Sequence, residues 1–192
     1  MTDRQIEIID AAGKILSESG VIGLTIKNLA KEMRFSEAAI YRHFSSKEQI
    51  ILGMLQYLAE TLEKIYVDSY LPEDKPEDKL VQLFKDKFQF FKNHPHFAVV
   101  VFSDGLMESS EKINKAIHLL MKIKSKHITS IVRENQSTEN FIQTLSEEEI
   151  IHLIMGATRL QMFKWRVSNF EFDIVETGVL RLKNILTLIK TK

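Results

Sequence analysis

The chain has 192 residues, 44% hydrophobic and 27% charged, an ordinary globular balance long enough for one large domain or two small ones. It has no cysteine, which excludes disulfides, thiolate metal sites and a cysteine nucleophile, and its 26 basic residues cancel 26 acidic ones, so net charge gives no whole-molecule attraction for nucleic acid. The longest apolar run, Phe97 to Phe102, is far short of the roughly 20 residues that span a bilayer, and Asp3, Glu7 and Asp10 interrupt any signal-peptide core, so a cytoplasmic location is expected.

Apolar residues recur at helical spacing almost throughout, and with three prolines and seven glycines they predict an all-α fold of about nine helices. Ile8, Ile9, Ala12, Ile15 and Leu16 line one face of a first helix that stops at Gly20, suited to a left-handed cap. Thr25 caps a short second helix with Ile26, Leu29, Ala30 and Met33 turned inward. Ser36 caps a short third helix whose inner face is Ile40 and Phe44. Ser46 with Gln49 forms a capping box that opens a long fourth helix running towards Tyr70. The stretch 71–79, with Pro72, Pro76 and charges of both signs, breaks the chain. Further helices are expected near 77–92, 95–106, 110–134, 146–167 and 173–190, with Pro95 at a first helical position and capping boxes at Ser146/Glu149 and Asp173/Glu176.

Three short helices ending in a long one, with a tight turn between the second and third, match a helix-turn-helix packed on a support helix. Between Thr25 and Lys47, the basic residues Lys27, Lys31, Arg34, Arg42 and Lys47 face only two acids, Glu32 and Glu37. With Ile40 and Phe44 turned inward, the third helix presents Glu37, Ala38, Tyr41 and Arg42 outward. A major groove needs small residues for close approach and donors for base edges or phosphates, and Ala38, Ala39, Tyr41 and Arg42 supply both. Lys47 begins the next helix, where it can reach a phosphate beside free backbone amides.

The stretch from Gly20 to Lys47 reads G-V-I-G-L-T-I-K-N-L-A-K-E-M-R-F-S-E-A-A-I-Y-R-H-F-S-S-K. It resembles the TetR (tetracycline-repressor) family, whose pattern is a glycine, a Thr-capped helix containing Leu-Ala, and then Tyr-x-His-Phe-x-x-Lys. The resemblance implies a DNA-binding set of Thr25, Lys27, Glu37, Ala38, Ala39, Tyr41, Arg42, His43 and Lys47. Within it, Tyr41, His43 and Lys47 fall on positions that hold phosphates, while Lys27, Glu37, Ala38, Ala39 and Arg42 fall on positions facing the groove. Arg34 departs from the family, which usually has glycine in that turn. A division into a DNA-binding domain over 1–48 and a ligand-binding and dimerisation domain over 49–192 is implied, joined by the long fourth helix.

The last two predicted helices are apolar on faces broader than one partner covers. Packed against a second copy as a four-helix bundle, they would use Ile154, Ala157, Leu160, Phe163, Val179, Leu182, Ile185, Leu186 and Ile189. Aromatic and methionine side chains in the middle of the chain suit a pocket for an apolar ligand, with Phe88, Phe102, Met107, His118, Met121, Gln161, Met162 and Trp165 as candidate lining residues. The same stripes at helical spacing also describe an ordinary core. Glu149-Ile-Ile-His152 matches one half of a di-iron element but has no second copy, and no phosphate loop, nucleophile elbow or dinucleotide-binding turn occurs. An enzyme, a metal site and a cofactor are therefore not expected. The sequence reads as a homodimeric repressor that leaves a palindromic operator when a hydrophobic small molecule binds. The alternative is a DNA-binding regulator whose C-terminal bundle holds a protein partner.

Overall fold

The computed structural model describes residues 1–103 and 110–191. The described residues form nine helices: α1 (Asp3–Gly23), α2 (Ile26–Met33), α3 (Glu37–Tyr41), α4 (Lys47–Asp68), α5 (Pro76–Asn93), α6 (His96–Val101), α7 (Glu111–Ser137), α8 (Glu147–Val167) and α9 (Ile174–Ile189). The only β pairing among them is an isolated bridge between Phe141 and Lys190. The predicted fold class and helix order agree with this. The helix at Pro95 is shorter than expected, because Phe102 leaves helical geometry at φ −111° and ψ 25°. The chain divides into two compact units, one formed by Met1–Glu60 and His94–Leu120, the other by Thr61–Asn93 and Met121–Lys192.

In the first unit, α1 opens with a capping box made by Thr2 and Gln5. Its buried face, Ile8, Ile9, Ala12 and Leu16, shares a core with Leu29, Ile40, Ile50 and Met54. Burial of side chains this size contributes about 1.5–3 kcal/mol each. That burial is what holds α2 and α3, which at eight and five residues are too short to persist alone. Gly20, at φ +62°, interrupts α1 and turns the chain. The carbonyls exposed by that turn are taken up by side chains from other helices: Asn28 Nδ2 donates to the Gly23 oxygen at 2.8 Å and Lys47 Nζ to the Val21 oxygen at 2.6 Å. On the opposite side α6 docks on α1, where the His96 ring lies so close to Gly13 that a Cβ there would meet it at 2.7 Å.

Arg34 ends α2 in the left-handed conformation, φ 57° and ψ 40°. Its N–H donates to the Lys31 carbonyl at 3.2 Å and that of Phe35 to the Ala30 carbonyl at 2.8 Å, a Schellman closure normally built on glycine. The arginine thus keeps the turn geometry that glycine would give and bears the strain, about 1–2 kcal/mol for an L-residue. Glycine would remove that strain and lose about 0.5–1 kcal/mol to chain entropy. Arg34→Gly is accordingly expected to raise the melting temperature by the equivalent of about 0.5–1 kcal/mol. Thermal unfolding checks this, and a lower melting temperature would mean that the Arg34 side chain makes contacts worth more than the strain.

In the second unit, α9 packs on both α5 and α8. Phe84, Phe88, Ile150, Ile154, Leu182 and Leu186 belong to its core. The fit is tight at Gly178, where a Cβ would approach the Phe88 ring to 2.5 Å. Ser146 and Glu149 form the expected reciprocal box, while Asp173 caps α9 by accepting from the N–H groups of Val175 and Glu176, without a return bond from the Glu176 side chain among the described residues. Lys79, buried on α5, donates to the Pro72 carbonyl at 2.8 Å and to both carboxylate oxygens of Glu134, so its charge is fully compensated.

Candidate DNA-binding and effector-binding sites

The candidate DNA-binding surface is built from the caps outward. Thr25 Oγ1 accepts from Asn28 N–H at 3.1 Å and Ser36 Oγ from Ala39 N–H at 3.2 Å, which fixes the first turns of α2 and α3. Burial of Ile40 and Phe44 then turns Glu37, Ala38, Tyr41, Arg42 and His43 to the outside. Thr25 and Lys27 are exposed on α2 and its cap, and Ala39 is half-buried. Tyr41 keeps 50% of its surface exposed, more than a packing tyrosine would. Among the described residues, none of Lys27, Glu37, Arg42 or His43 is engaged in an ion pair, so their polar ends are available to an outside partner.

Lys47 is placed differently from its neighbours. It is half-buried, its Nζ bonds the Val21 carbonyl, and burial lowers its pKa from the usual lysine value. Lys47 therefore clamps the end of α1 onto the start of α4, with two of its three N–H donors remaining. Sequence spacing gave no sign of this second bond, because its partner lies 26 residues upstream.

Four of the nine residues expected at a dimer interface are not on the surface. Ile154, Leu182, Leu186 and Ile189 are buried in the core of the second unit, consumed by the packing of α9 on α5 and α8. Ala157, Val179 and Ile185 are half-buried, while Leu160 and Phe163 are exposed. The outward apolar stripe on α8 is instead Leu153, Leu160, Phe163 and Val167, with Gly156 in open space between the first two. These positions recur every three and four residues, the spacing of a coiled-coil seam.

The eight expected ligand residues do not form one lining. Phe88, Met162 and Trp165 are core residues of the second unit, and Gln161 there donates to Thr177 Oγ1 at 3.0 Å. His118 and Met121 are exposed, Phe102 is buried in the first unit, and Met107 lies outside the described residues. A shallow groove of about 400 Å³, lined by Leu145, Glu148, Glu149, His152 and Leu153, contains none of them. Glu149 beside it is used as a cap: hydrogen bonds from the Ser146 backbone and side chain lower its pKa.

The second unit also holds buried polar groups that the sequence reading passed over. Tyr66 Oη, Asn135 Oδ1 and Trp165 Nε1 have no hydrogen-bond partner among the described residues. Glu63 lies 3.1 Å from His127 Nε2 and accepts from Lys126; burial opposes its ionisation, but these bonds outweigh it and its pKa is lowered. Lys87 is buried on α5 and faces Lys124 of α7. The signal for Lys87 was present in the sequence, since it sits among Leu83, Phe84, Phe88 and Phe91 on the apolar face of α5.

Residues 8–54 match the family model for bacterial regulatory proteins, tetR family, and residues 53–189 match that of a YsiA-like protein, C-terminal region. Over 176 residues the chain is 25% identical to the nucleoid occlusion factor SlmA of Aliivibrio fischeri, covering 91% of this chain and 89% of that one. The fold is shared with the fatty acid degradation regulator FadR from Bacillus halodurans, at a TM-score of 0.86 and 19% identity, covering 97% and 96% of the two chains. It is shared as well with a FadR from Bacillus subtilis solved in complex with stearoyl-CoA, at a TM-score of 0.81 and 19% identity, covering 96% and 98%.

Proposed function

The chain belongs to the tetR family of bacterial regulatory proteins, and from that premise we propose that this DNA-binding regulator is a cytoplasmic homodimeric repressor, released from a palindromic operator by a hydrophobic small molecule. The observation that carries the DNA reading is the exposed set on α2 and α3, Lys27, Tyr41, Arg42 and His43, held outward by buried Ile40 and Phe44. In this reading Tyr41, His43 and Lys47 hold phosphates, Lys27, Glu37, Ala38, Ala39 and Arg42 face the groove, and Thr25 completes the DNA-binding set at the cap of α2. Residues 1–48 form the reader and 49–192 the effector and dimer part.

The dimer is assigned to the α8 stripe, which leaves apolar side chains facing solvent in one subunit and is self-complementary about a twofold axis. An apolar effector is supported by the fold shared with a regulator solved with stearoyl-CoA. Helix α4 supplies a physical link, since Lys47–Glu60 lies in one unit and Thr61–Asp68 in the other.

The test is reciprocal. A roughly 100-fold loss of operator affinity on ligand binding requires about 2.7 kcal/mol of coupling, and operator must then weaken the ligand by the same factor. Titrating fatty acyl-CoA compounds with operator present and absent should reveal that difference. Equal affinity in both titrations would remove the ligand from the switch. The second reading, in which the C-terminal bundle docks a protein, would be favoured by operator binding that is indifferent to every acyl compound.

A further inference from the structure

Lys87 is 6% exposed and lies on the apolar face of α5. Its ammonium sits 4.9 Å from the Phe84 ring centre and 5.1 Å from that of Phe88, and the Lys124 ammonium is 5.6 Å from the same Phe84 ring. Both lysine side chains thus converge on the Phe84 ring. Among the described residues neither is paired with a carboxylate, and the charged group acting on Lys124 from α8 is another cation, Arg159. Lys79, about two turns before Lys87 on the same helix, is compensated by Glu134; among the described residues Lys87 has no such partner.

Aromatic faces attract a cation but do not replace its water. Two like charges withdrawn together are costly, and a methionine of similar volume would suit the same place better on stability grounds. A locally unfavourable pair of this kind marks a functional position. Its chemistry is specific: among the described residues no carboxylate pairs with either of these two convergent lysines, and the groups beside them are the apolar rings of Phe84 and Phe88. Lys124 is half-buried on α7.

We propose that Lys87 and Lys124 hold the anionic head group, carboxylate or phosphate, of an apolar-chain effector against Phe84 and Phe88. The proposal rests on the reading of this unit as the effector-binding part. It also explains the state without ligand. Burial pushes Lys87 well below the usual lysine pKa, with Lys124 adding to it, and burial with Arg159 lowers Lys124 to about 8. An anion restores the charged forms, so binding takes up protons.

The test uses the full-length protein and three probes with one chain and different heads: decanoate, decyl phosphate and decanol. Calorimetry at pH 8 in two buffers of different ionisation enthalpy should show both anions binding, decanol about tenfold or more weaker, and uptake of about one proton with either anion. The stronger of the two anions identifies the head group. Lys87→Met and Lys124→Met should remain folded, melt no lower than the parent, and lose both the anion preference and the proton uptake. Decanol binding as tightly as decanoate, no binding of any probe, or variants that keep the preference would overturn the site. Operator release separates this from the broader reading. If both lysine variants still release operator with acyl-CoA compounds, the effector assignment stands and the head-group site falls; if anions bind at the lysines without releasing operator, the site stands and the effector assignment falls.

Discussion

Leu160→Glu is expected to yield a folded monomer that no longer binds operator. Leu160 is 54% exposed at the middle of the α8 stripe, so glutamate costs nothing to the core of its own subunit. In a dimer it would place two carboxylates against each other in an apolar seam. Paired half-sites need a paired protein, and one head retains about half of the binding free energy. An operator held near nanomolar, about −12 kcal/mol, would be held by one head at about −6, a loss of more than about 10,000-fold. Sedimentation and DNA titration check the two halves of the expectation separately. A dimeric variant with full affinity would move the interface away from α8.

Arg42→Ala is expected to change which sequences bind, while Lys47→Ala changes how binding depends on salt. A base read by Arg42 is worth about 1–3 kcal/mol per half-site, hence about 2–6 kcal/mol for a symmetric dimer. The loss should be concentrated at one base pair in each half-site; equal weakening on every sequence would make Arg42 a backbone contact. Each phosphate held by Lys47 contributes a log-log salt slope of about 0.9, so the dimer should lose about 1.8. Because Lys47 also clamps the Val21 carbonyl, its removal should lower the melting temperature as well. A lowered melting temperature with an unchanged salt slope would leave Lys47 the clamp alone.

The reader was legible because its signals are local. Thr25, Ser36, Ser146 and Asp173 cap helices within three residues of themselves, and Ile40 with Phe44 fix which side of α3 faces out. Arg34 was visible as an exception, and its left-handed backbone shows that the turn outranks the residue's preference. What failed to read were choices between partners. A stripe at period 3.6 says that Ile154 and Leu182 are buried but not by which helix, and they are buried within one subunit. The 3.5-residue recurrence of the exposed Leu153, Leu160, Phe163 and Val167 is the pattern on which the proposed seam rests. Long-range bonds left no trace at all: Ile142 N–H to the Ile189 carbonyl at 2.9 Å, or Lys79 Nζ to Glu134 at 2.9 Å, join segments far apart in sequence.

The central claim, a paired reader of duplex DNA, is tested most directly by selection of binding sites from random-sequence duplexes with the full-length protein. The account predicts recovery of an inverted repeat whose half-site centres lie about 34–36 Å apart, or a multiple of that spacing. A pool that stays random, or one enriched in a single unpaired half-site, would contradict it.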